Sequence, residues 1–165
     1  MRAFGRSRVD GAVIDLPFKL VIVAIVMSVS TAALYSGLDA YYRSGAEASA
    51  RSAADRIATM ATSVSAMGIG SSRTVELDLR GNAMYSMERM DVGCGPSGLG
   101  TECNTIRYRL AGHTTWVYVR DASDHDLEMR GADGPVSLGP GQVSLLLTKV
   151  AQASGAGSFV EIRAV

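Results

Sequence analysis

The sequence predicts an α+β protein. It reads as a long N-terminal helix, transmembrane and then amphipathic, followed by a small antiparallel β-sandwich or barrel-like head. Three observations carry that prediction. The first is an apolar stretch from Leu16 to Leu38, in which residues 20–34 hold no charge, no Gly and no Pro, and only Ser28, Ser30 and Thr31 are polar. The second is helical periodicity that continues past this stretch to Met67. The third is a switch to period-two alternation after the breaker Gly68-Ile69-Gly70-Ser71-Ser72. These divisions give a leader (residues 1–15), a transmembrane helix (16–38), an amphipathic continuation (39–67) and a β-rich head (68–165).

The leader holds Arg2, Arg6 and Arg8 and shows no periodicity. Asp15 offers an N-cap, and Pro17 falls where a first-turn proline costs nothing, so the helix is expected to start at Leu16 or Pro17. A membrane-crossing helix needs about 20 mostly apolar residues, and the stretch from Phe18 to Leu38 meets that length if Lys19 snorkels to the interface. Basic residues favour the cytoplasmic side. Arg2, Arg6, Arg8 and Lys19 against Arg43 and Arg51 place the N-terminus inside and everything beyond Leu38 outside.

Beyond Leu38 the residues Tyr42, Ala46, Ala50, Ala53, Ile57, Met60, Val64 and Met67 recur three or four apart, as one face of a helix requires. A neighbouring face carries Asp39, Arg43, Glu47, Arg51 and Asp55, alternating in sign and four apart. Each such pair supports a helix by about 0.2–0.5 kcal/mol. The Ala-rich stripe admits close approach of another surface, either the chain's own head or copies of the same helix.

In the head, Val75, Leu77 and Leu79 alternate with polar residues, as do Ile106, Tyr108 and Leu110. Residues 114–120 are aromatic and β-branched, and Trp116 is expected in the core. Shorter strands are expected at 126–130, 142–150 and 158–165, while Met84–Gly100 reads as a Gly-rich excursion from the sheet. Arg107, Arg109 and Arg120 alternate with apolar positions and are expected on the solvent face or against a neighbouring subunit.

Cys94 and Cys103 enclose a short loop. Outside the cell they are expected to pair, which stabilises by about 2–3 kcal/mol in the chain-entropy account. A zinc site wants four N or S ligands, and the two cysteines have no neighbouring His. Asp121, Asp124, His125, Asp126 and Glu128 match no calcium-loop spacing and read as a hairpin tip; His113 reads as a turn residue. No GxSxG, HExxH, phosphate-binding or dinucleotide motif occurs, so no catalytic residue, metal or cofactor is expected and the chain reads as non-enzymatic. With 16 basic and 16 acidic residues, no global field points to nucleic acid.

The order of parts (basic leader, Gly11, an early acidic residue, uninterrupted apolar helix, amphipathic continuation, β-rich end) resembles the type IV pilin-like proteins, most closely the archaeal ones. The resemblance implies a prepilin-type peptidase cutting between Gly11 and Ala12. It also implies an assembly role for Asp15, and apolar helices that self-associate or join other pilin subunits in a surface filament, with membrane lipid as the partner before assembly. Two positions depart from the family pattern. Asp10 stands before the glycine where a basic residue is usual, and the family's acidic residue falls one place later than Asp15. Two other readings compete: a single-pass anchored protein whose head binds a partner without assembling, and a secreted domain cut at Ser30-Thr31-Ala32.

Overall fold

The computed structural model describes residues 10–96, 103–120, 127–152 and 157–165, with residues 10–16 and 120 described by their backbone alone. Helix α1 is one α-helix, Asp10–Ser65. It begins earlier than the expected Leu16 or Pro17, so Asp15 lies inside the second turn instead of capping the first. Pro17 is inside the helix. It forfeits the bond to the carbonyl of Val13 and its ring crowds that carbonyl, a cost offset as every later residue of the apolar run adds a bond in turn. The chain divides into two compact units, the first ending at Tyr41 and the second beginning at Tyr42.

In the first unit every described side chain from Phe18 to Tyr41 is exposed, Phe18 by 66% and Leu34 by 67%. Three hydroxyls in this run are satisfied by the helix itself. Ser28 donates to the Ile25 carbonyl (2.8 Å), Thr31 to Met27 (2.7 Å) and Ser36 to Ala33 (3.0 Å).

In the second unit the helix buries Ala46, Ala50, Ala53, Ala54, Ile57, Ala58, Ala61 and Val64 in the same core as the strands. The alanine stripe therefore packs on the chain's own β domain. Eight strands form two sheets: β1 (Ser72–Asp78), β2 (Met87–Val92), β3 (Ile106–Leu110), β4 (Val117–Arg120), β5 (Met129–Gly131), β6 (Val136–Leu138), β7 (Gln142–Ala151) and β8 (Ser158–Ala164). One sheet runs β1-β7-β8-β5 and the other β4-β3-β2-β6. All pairings are antiparallel except β5 with β8, which run parallel.

Three expectations are corrected here. The stretch Met84–Gly100 is not an excursion, because it contains β2, an inner strand of its sheet. The register slips between Met87 and Arg89. That bulge spaces the inward residues Met87, Met90 and Val92 by three and then two, which breaks the alternation that marks a strand. Strand β6, only three residues long, was likewise not anticipated. Trp116 lies outside the core: it precedes β4, is half-buried, and shares a face with Arg107 and Arg109 instead of Tyr108. Tight crossing points are met by glycine. At Gly93 (φ 69°) a Cβ would collide with the carbonyl of Met129, the residue whose oxygen accepts from the Cys94 amide.

Two contacts tie the helix to the strands. Lys149 on β7 donates from Nζ to the carbonyls of Ser65 (2.6 Å) and Met67 (2.8 Å). The last turn of α1 holds no basic residue of its own, so Lys149 supplies both the missing donor and the positive charge that a helix C-terminus favours. Where the helix enters the second unit, Asn82 of the loop between β1 and β2 donates to the Tyr42 carbonyl (2.6 Å) while its Oδ1 accepts from the amides of Met84 and Tyr85. Lys149→Met keeps the stem and removes the ammonium. It is expected to cost about 1–3 kcal/mol in denaturant unfolding and to speed amide exchange in the last turn of α1.

Candidate functional site

The residues singled out in the sequence fall in two places. Gly11, Ala12 and Asp15 lie in the first two turns of α1, at the start of the apolar run. Cys94 and Cys103 are bonded to each other in the β domain with Cα atoms 4.5 Å apart. Asp121, Asp124, His125 and Asp126 lie outside the described residues. Glu128 is engaged by Arg130 at 2.7 Å, and the His113 ring stacks beside Tyr85 at 6.0 Å. Among the described residues no three His, Cys, Asp or Glu side chains are grouped as a metal would need.

The disulfide fixes one end of a polar network that sequence reasoning did not anticipate. Cys94 forms a parallel bridge with Arg130, joining the end of β2 to β5. Three residues earlier, Asp91 is buried to 2% exposure in the middle of its sheet. Its Oδ1 accepts from Arg89 Nε (2.6 Å) and the Ser137 hydroxyl (2.8 Å), while Oδ2 accepts from the Arg107 guanidinium (3.1 and 3.3 Å). Strands β2, β3 and β6 thus meet on one carboxylate. Burial alone would raise the Asp91 pKa, but the hydrogen bonds from Arg89, Ser137 and Arg107 prevail and hold it below the usual carboxylate range.

Arg107 and Arg109 place their guanidinium carbons 4.6 and 5.1 Å from the centroid of the Trp116 ring, and Arg109 also pairs with Glu88 at 2.6 Å. Both arginines therefore find partners within their own domain. The Arg120 side chain lies outside the described residues. An open cleft of about 690 Å³ borders this network, lined by Thr105, Arg107, Tyr118, Asp133 and Gly95. Tyr118 is 62% exposed at its rim. The lining offers hydrogen-bond donors and acceptors, among them the Arg107 guanidinium, the Tyr118 hydroxyl and the Asp133 carboxylate.

The signal for this network was in the sequence as the alternation of Arg107 and Arg109 on β3. Its partner Asp91 was hidden by the bulge in β2. No protein-family model, curated protein or solved structure matches the chain.

Two outcomes follow for stability. Asp91→Asn is expected to lower it by about 2 kcal/mol near neutral pH, since the charged hydrogen bonds are lost while the half-exposed arginines rehydrate. A depressed carboxyl contributes stability above its unfolded pKa of about 3.9 and loses it as pH falls through the folded value. The difference between wild type and Asp91→Asn should therefore shrink in urea titrations carried down through that range. Reducing the disulfide, or Cys103→Ser, should cost about 2–3 kcal/mol.

Proposed function

We propose that the chain is a non-enzymatic, membrane-inserted, pilin-like subunit. Its first helical segment lies in the bilayer, and its β domain stands on the extracytoplasmic side. The observation that carries this reading is the first unit of α1. Its apolar side chains from Phe18 to Leu38 are all exposed, and it is long and apolar enough to cross a membrane. From Lys19 to Tyr41 a helix rises about 33 Å, close to the hydrocarbon thickness of a bilayer. Lys19 stands at one end and Tyr35 and Tyr41 near the other, the arrangement in which a snorkelling cation and aromatic rings meet the two interfaces. Ser28, Thr31 and Ser36 bond internally and so make no demand on lipid.

The Cys94–Cys103 disulfide supports an oxidising compartment for the β domain, and the arginines of the leader support a cytoplasmic N-terminus. In the filament reading a prepilin-type peptidase cuts after Gly11, freeing an amine on Ala12 and leaving the helix with unpaired N–H groups. Asp15 of a neighbouring subunit offsets that positive end inside an apolar bundle. Asp10, standing where a basic residue precedes the cut in pilin-like proteins, favours a second reading: an uncleaved, single-pass anchor whose β domain engages a partner.

The mass and N-terminal sequence of the protein from membranes separate these readings. A start at Ala12 is expected for the subunit. A start at Met1 selects the anchor, and a start at Ala33 selects a secreted domain and overturns both. Asp15→Ala is expected to reduce filament incorporation several-fold, with the thermal transition of the β domain unchanged. Undiminished incorporation would remove Asp15 from the assembly step.

A further inference from the structure

Arginines in the β domain and its supporting helix are almost all ion-paired. Among the described arginine side chains, those of Arg43, Arg80, Arg89, Arg107, Arg109, Arg130 and Arg163 each have an Asp or Glu within salt-bridge distance, and those of Arg51, Arg56 and Arg73 do not. These three line one groove of about 760 Å³ between the outer side of α1, from Ala48 to Ser63, and strand β1. Asp55 is the single carboxylate in its lining, and Met60 and Val75 give it an apolar floor.

The wall opposite the helix is an open strand edge. β1 is terminal in its sheet and pairs only with β7. The direct bonds Leu79 N–H to Gly141 O and Lys149 N–H to Ser71 O fall on opposed residue pairs at the two ends of this ladder. Odd-numbered residues of β1 therefore bond to β7, and the backbone N–H and C=O groups of Thr74 and Glu76 face away from it. At the far end of the same sheet the edge is partly closed, because Arg130 of β5 bridges to Cys94. The length of groove along the helix, about 22 Å, equals that of a seven-residue strand, about 23 Å.

We propose that this groove binds an extended acidic segment of another protein, which adds to the edge of β1 and presents carboxylates to Arg51, Arg56 and Arg73. The backbone of Thr74 and Glu76 supplies the main-chain hydrogen bonds, and the unpaired guanidinium groups supply selectivity. Charge also argues against a second copy pairing β1 to β1 about a two-fold axis, since that arrangement brings two sets of three arginines together. The inference is independent of the filament reading, because it rests on the second unit alone.

The test uses the full chain in phosphatidylcholine nanodiscs and a blocked octapeptide of alternating Glu and Val as probe. Expected results are slowed exchange of the Thr74 and Glu76 amides on binding, and a dissociation constant at least tenfold weaker in the triple variant R51E/R56E/R73E. Binding should also weaken with salt. An unchanged circular dichroism melt shows that the variant is folded, since all three side chains are exposed. Equal binding of a Lys-Val octapeptide, or no protection at Thr74 and Glu76, overturns the proposal. So does displacement by inorganic phosphate at equal affinity, which marks an anion patch. Concentration-dependent self-association abolished by the triple variant also overturns it, by making a second copy the occupant.

Discussion

The β domain depends on the closure of one helix face, from Ala46 to Val64, against the side chains of both sheets. That face is built largely of alanine. Alanine side chains add little volume from the helix side. The volume of the core is then supplied from the sheet side by Tyr108, Met90, Leu145 and Leu147. Such packing leaves little tolerance for larger residues on the helix, because each added methylene must displace a strand. It also explains why the packed part of the helix is fastened by polar contacts near Tyr42 and at Ser65. Alanine contributes little burial of its own at roughly 25 cal/mol per Å², so Lys149 and Asn82 fix the positions that area alone leaves loose.

A single helix in this chain carries two kinds of surface, and the change occurs near Tyr42. Before it, branched and aromatic side chains are exposed all round; after it, one face is buried and the rest is charged. Backbone hydrogen bonding is the same on both sides of the change. Only side-chain chemistry differs: residues 20–34 carry no charge, whereas Arg51, Asp55 and Arg56 require water or an ionic partner.

The helix and the regular strands were legible because their signals are local. Three- and four-residue spacing of Ala and Ile marks the buried face, and strict alternation marks β1 and β3. What was not legible arose from irregularity or from pairing across distance. The bulge in β2 conceals an inner strand, and with it the carboxylate that β3 and β6 share. The parallel pairing of β5 with β8 has no local signature, since it joins segments about thirty residues apart in the chain. Trp116 shows the same limit. A lone tryptophan in an apolar run reads as core, yet two guanidinium groups on the adjacent strand make the outer face a favourable place for its ring.

Charge placement gives the β domain two unlike surfaces. Around Asp91 the arginines are already neutralised, so an incoming anion would have to displace carboxylates that hold three strands together. Along β1 the arginines have no such partners, and nothing in the fold is lost when they take one. A charge that bonds within the domain contributes to stability, while an unpaired charge beside an open strand edge remains available for recognition. The two networks are built from the same residue type, and their different roles follow from what each guanidinium already touches.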